Sequence, residues 1–132
     1  MPILVAYLST IVPMLIIDTI WIGLVAKNFY QQSMGPMLAD KPNLAAAGLF
    51  YLIYVGGVVF FAIQPALKAQ SWHVATLNGA ILGLVAYATF DLTSQAVFKN
   101  WNWSLTLTDV AWGMVLTAIV ATIGYVAAAK VS

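Results

Sequence analysis

Three aspartates stand where acids are seldom found. Asp18, Asp91 and Asp109 each fall within or at the edge of a long apolar stretch, whereas the fourth acid, Asp40, lies in a polar segment. An ionised Asp near the centre of a membrane helix costs roughly 2.5–3.5 kcal/mol on insertion scales. Such a residue therefore faces a bundle interior, is paired, or carries a proton. The chemistry this suggests is proton transfer, with Asp91 as donor or acceptor and Asp18 and Asp109 beside it. Helical spacing supplies companions. Gly83, Tyr87, Asp91 and Gln95 recur four apart, inside a polar turn that adds Thr93 and Ser94. Met14, Asp18, Trp21 and Val25 share a stripe, and Asp109 is followed at three and four residues by Trp112 and Gly113. Tyr51 and Tyr54 lie a turn apart at similar depth. The candidate catalytic residues are thus Asp91, Asp18 and Asp109. The candidate ligand-binding residues are Trp21, Tyr51, Tyr54, Tyr87, Thr93, Ser94 and Trp112.

Each of these residues also has a structural reading. Thr106, Thr108 and Asp109 sit near the start of an apolar stretch, where an anion suits the helix dipole, so Asp109 could be a cap. Asp18 could pair with Lys27 or hydrogen-bond within a bundle. Trp21 and Trp112 could be packing groups, and Gly79 and Gly83 form a GxxxG that close helix packing explains. Three Asp could hold a hard divalent cation, but nothing in their spacing demands a metal and none is assigned. The cofactor is left unknown. The single His, His73, is at the opposite depth from the three acids.

The elements that must position these side chains follow from composition. The chain is 63% apolar and 7% charged, with four acids, all Asp, and five bases, all Lys. Nine charges cannot cover a water-soluble surface of this size, so lipid must. Five scattered Lys form no basic patch, which excludes a nucleic-acid partner. The absence of Cys excludes disulfides, iron–sulfur clusters and thiolate chemistry. A lone His excludes the His clusters of membrane non-haem iron enzymes.

About 20 apolar residues are needed to cross the hydrocarbon layer. Four stretches qualify, at about 3–25, 44–64, 73–98 and 105–129. They predict an all-α fold, a single domain over residues 1–132 formed by a bundle of four membrane-spanning helices. The first connection carries Pro36 and Pro42, the second Gln64, Pro65, Lys68, Gln70 and Ser71, and the third two interfacial Trp, Trp101 and Trp103. With four spans, the first and third loops share one side. At a rise of about 1.5 Å per residue, Asp18, Asp91 and Asp109 lie from about 6 Å to on the order of 11 Å from the middle of their spans, all toward that side. One leaflet half of the bundle should hold the carboxyls, phenols and indoles; the other should be nearly dry.

The residues also carry a resemblance. The run Asn78-Gly79-Ala80-Ile81-Leu82-Gly83-Leu84, then Tyr87 to Thr93, Lys99-Asn100-Trp101 and Asp109-Val-Ala-Trp112-Gly113, resembles a bacterial family of small four-span membrane proteins, domain-of-unknown-function family 2177. Phe50-Tyr51-Leu52-Ile53-Tyr54 and the Gln64–Leu67 corner join the likeness, which covers essentially the whole chain. The sequence departs from the family pattern at Ser94, where an Asn commonly follows Asp-Leu-Thr. The resemblance implies a multi-pass protein of the bacterial inner membrane. Members are encoded near fatty-acyl methyltransferases and flavin amine-oxidase-like proteins, which implies a link to membrane-lipid modification or envelope stress.

Three functions are compatible with these readings. The first is binding or modification of a lipid or isoprenoid-like molecule in the carboxylate pocket, whether or not chemistry follows. The second is an accessory or assembly subunit of a larger membrane complex. The third is a small proton- or cation-coupled transporter, for which a homodimer is expected. The expected partners are accordingly the bilayer itself, a bound lipid or isoprenoid, and a homodimer or larger complex.

Overall fold

The computed structural model describes residues 2–25, 28–29, 32 and 43–132. Lys27, Asp40 and most of the first loop lie outside the described residues. Helix α1 is Pro2–Ile20, continued by a wide π turn at Trp21–Val25. Helix α2 is Leu44–Val58, continued by a second π turn at Val59–Ile63 and a last helical segment at Gln64–Ala69. Helix α3 is Trp72–Val97 and α4 is Trp103–Ala129. All four are long and apolar enough to cross a membrane, with mean hydropathy between 1.3 and 2.2. Apolar side chains such as Leu24, Leu44, Ile53, Leu77 and Leu107 point outward, where only lipid can satisfy them.

Helix α4 is the hub. Its buried side includes Gly113, Leu116, Thr117, Val120, Ala121 and Gly124, which meet the other three helices. Against α3 the approach is backbone to backbone. A Cβ on Gly83 would lie 2.3 Å from the Gly113 carbonyl oxygen, and one on Gly79 would lie 2.8 Å from that of Thr117. Against α1, Gly124 sits beneath the Thr10 hydroxyl and the Ala6 carbonyl. Small residues let membrane helices approach this closely, since lipid provides no hydrophobic force between them. Among the described residues the polar contacts of the far half include Thr76 with Thr122 at 2.5 Å, Thr10 to the Ala6 carbonyl at 2.7 Å, Tyr7 to the Leu52 carbonyl at 2.8 Å and Asn78 to the Phe61 carbonyl at 3.1 Å, so this half is less dry than expected. His73 lies at that far end, stacked on Trp72 with ring centroids 3.7 Å apart.

Two element boundaries differ from the sequence expectation. The second span does not stop at Gln64; the helix passes through Pro65 and ends at Ala69, leaving a turn at Gln70 and Ser71. Proline lacks the N–H that would bind the carbonyl four residues back, and its ring crowds that carbonyl. Here the carbonyl is that of Phe61. It is carried in the π turn and takes a hydrogen bond from the Asn78 amide of α3 at 3.1 Å. A neighbouring helix thus supplies the donor that Pro65 lacks, the usual remedy in membrane helices. Replacing Asn78 by Leu should destabilise the bundle by roughly 1 kcal/mol. The loss should shrink in a Pro65→Ala background, where the chain regains its own donor. Unfolding by graded SDS would measure both; equal losses in the two backgrounds would contradict the assignment.

The fourth span, expected from about residue 105, begins two residues earlier at Trp103. Its cap is Asn102, whose side chain accepts the Leu105 N–H at 2.7 Å. Asp109 is therefore six residues inside α4, beyond the first turn, and the capping reading of Asp109 does not hold. The preceding turn is closed by side chains. Gln95 donates to the Trp101 carbonyl at 2.5 Å and accepts from Thr106 at 2.8 Å, and the buried Trp101 indole donates to Thr106 at 3.1 Å. Asn100 takes the left-handed backbone conformation in that turn, φ 64°, which Asn tolerates better than most residues.

Candidate functional site

The three aspartates lie at one depth. Asp18 is seven residues from the end of the α1 π turn at Val25, Asp91 six from the end of α3 at Val97, and Asp109 six from the start of α4 at Trp103. Each is on the order of 10 Å inside the same face of the bundle. Tyr51, seven residues into α2, joins them.

They form two joined clusters. The first centres on Asp18, which is buried with 7% of its surface exposed. One carboxylate oxygen accepts the Tyr51 O–H from α2 and the other accepts the Trp112 indole N–H from α4 at 3.1 Å. Asp18 thus ties three helices together by hydrogen bonds within the bundle; a pairing with Lys27 lies outside the described residues. Trp112 stacks face to face on Trp21, with centroids 4.2 Å apart and planes 8° from parallel. Trp21 is the first residue of the π turn of α1, and such turns frequently mark functional sites.

The second cluster is Asp91 with Asp109. Asp91 is fully buried, and neither of its oxygens meets an N–H or O–H donor. The Asp109 carboxyl stands beside it, and two carboxyls can bond only with a proton between them. Ser94, buried one turn on from Asp91, lies on the same side of α3. Among the described residues, no group of three or more His, Cys, Asp or Glu is placed to hold a metal.

Tyr87 lies between the clusters, close enough to Asp18, Tyr54, Asp109 and Tyr51 to feel each of them. Its ring packs into the space left by the missing side chain of Gly113, where a Cβ would lie 2.2 Å from the ring. Tyr54 meets the Tyr87 ring edge to face at 6.3 Å and shares a 2.7 Å hydrogen bond with Thr117. Of the ten residues singled out from sequence, nine are thereby brought to one end of the bundle. Thr93 is not among them. It is exposed and turns its hydroxyl back on its own helix, to the carbonyls of Thr89 and Phe90. Sequence reasoning missed the Gln95–Trp101–Thr106 network. Its one visible signal was Gln95 on the Asp91 stripe.

Asp18 and Asp91 are buried and Asp109 is half-buried, and an open surface adjoins them. A groove of about 450 Å³ runs along the outer side of α1 and α4, lined by Trp21, Leu107, Thr108, Ala111, Trp112 and Val115. Its walls are apolar apart from Thr108 and the indoles, and Trp112 belongs both to the groove and to the Asp18 cluster.

Comparison with known proteins agrees with this membrane architecture without adding a chemistry. No curated protein and no solved structure matches the chain significantly. The profile of the family DUF2177, described as a predicted membrane protein, matches residues 3–126. That span reaches into all four helices and includes every residue of both clusters, and the chain belongs to this family of multi-pass membrane proteins.

Proposed function

We propose that the protein binds an amphiphile with a single hydrocarbon chain, of lipid or isoprenoid type. The chain would lie in the groove between Trp21, Leu107, Ala111 and Val115, and the polar end would lie near Thr108 and the Trp112–Asp18–Tyr51 cluster. The observation that carries this reading is the double role of Trp112, which walls an apolar groove on one side and donates to a buried carboxylate on the other. A volume of about 450 Å³ suits one chain segment, within the roughly 300–1,000 Å³ range of ligand sites. A role in membrane-lipid modification or envelope stress at a bacterial inner membrane accords with such a ligand and is part of the proposal.

Native mass spectrometry of protein extracted without detergent tests it. Wild-type protein should carry one amphiphile enriched over the surrounding membrane. Trp21→Ala, which strips one groove wall and leaves the Asp18 hydrogen bonds in place, should cut that enrichment about tenfold. Bound lipid that mirrors bulk composition in both proteins would end the lipid reading. A stoichiometric second protein chain held through Trp21 would replace it with the role of an assembly subunit.

A further inference from the structure

We propose that Asp91 and Asp109 hold one proton between their carboxyls, forming a proton-binding site within the membrane at the α3–α4 interface. Three observations meet here. Asp91 has none of its surface exposed, and both its oxygens are without a hydrogen-bond donor. The carboxyl it faces is that of Asp109. The loop end of the interface is closed by the Gln95–Trp101–Thr106 network and the other end by the Tyr87 ring seated on Gly113.

An ionised Asp91 in this setting would be a buried charge with neither partner nor donor, among the costliest arrangements a fold can hold. One proton removes both defects. It neutralises one carboxyl and supplies the only kind of hydrogen bond two carboxyls can make. Asp18 provides the contrast at the same depth, because its two oxygens already take donors from Tyr51 and Trp112.

Among the described residues, the titratable group beside the pair is Tyr87 from α3, close to Asp109. Beyond Tyr87 stand Asp18 from α1 and Tyr51 and Tyr54 from α2. Asp109 is half-buried and stands one turn before Trp112. The inference does not depend on what occupies the groove.

The composition makes the test clean. Every acidic side chain is an Asp, four in all, so isotopic labelling of Asp reports every side-chain carboxyl. Carbon-13 Asp-labelled protein in lipid at neutral pH should show one protonated carboxyl by infrared and solid-state NMR spectroscopy, shifted on exchange into D₂O. The signal should vanish in Asp91→Asn and persist in Asp18→Asn. A wild-type spectrum with no protonated carboxyl, or with two, overturns the proposal. So does a signal that survives Asp91→Asn. Should Asp91→Asn fail to fold, the wild-type count alone decides. A stoichiometric metal cation found by elemental analysis together with an empty protonated-carboxyl region would overturn it in favour of a cation site.

Discussion

Gly83→Ala should be among the most damaging single-methyl additions this chain can take, with a net loss of up to about 2 kcal/mol. The new Cβ would lie 2.3 Å from the Gly113 carbonyl oxygen, 2.8 Å from its carbon and 2.9 Å from the Met114 Cα. All three are backbone atoms, so no side chain can rotate away; α3 and α4 must separate. Overpacking typically costs about 1–3 kcal/mol, and helix separation also loosens the seat of Tyr87 on Gly113. Alanine's better helix propensity offsets about 1 kcal/mol of this.

Gly56→Ala is the control. A Cβ there meets nothing within 4 Å, so only the propensity gain applies and stability should rise slightly. Steric trapping in bicelles would measure both. A Gly83→Ala protein as stable as Gly56→Ala would mean that the helices do not approach as described. The same separation should move Asp91 away from Asp109 and shift or abolish the protonated-carboxyl signal, so the two experiments check each other.

Hydropathy made the four helices legible, because a continuous apolar stretch of this length can satisfy its backbone in lipid only as a helix. Helical periodicity and depth placed Asp18, Asp91 and Asp109 at one end of the bundle, since both depend only on rise per residue. What stayed hidden depended on which helix lies beside which. Nothing near Pro65 in sequence announces that Asn78 will supply its missing donor, so Pro65 read as the end of a span. Asn102 went unread as a cap because Thr106, Thr108 and Asp109 offered competing signals a turn later. Thr93 looked like a site residue from its polar neighbours. A threonine hydroxyl in a helix, however, can bond the carbonyl three or four residues back, and there it needs no partner. That Tyr51 and Trp112 would share the two oxygens of Asp18, and that Asp109 would face Asp91, required the packing order of the helices.

Asp18→Ala should cost about 2–4 kcal/mol, because it strands two donors at once. The Tyr51 O–H and the Trp112 N–H, from different helices, would both lose their acceptor in a part-buried site. An unsatisfied buried group costs roughly 1–3 kcal/mol, so two would cost about 2–6 kcal/mol; side-chain hydrogen bonds between membrane helices average nearer 0.6 kcal/mol, which puts the expectation in the lower half of that range. Asp18→Asn keeps one acceptor oxygen and should lose about half as much.

Trp112→Phe removes the N–H while leaving a ring to stack on Trp21. A double-mutant cycle of Asp18→Ala with Trp112→Phe should therefore give a coupling energy of about 1 kcal/mol. A coupling of zero would mean that the indole does not bind the carboxylate in the membrane. The same variants separate a structural Asp18 from one that also serves the ligand. If Asp18 only ties α1, α2 and α4 together, Asp18→Asn that remains folded will keep the enriched amphiphile at wild-type occupancy. If the polar end of the amphiphile reads the carboxylate through Trp112, occupancy will fall in the folded fraction as well, since an amide carries no charge and offers a single acceptor oxygen.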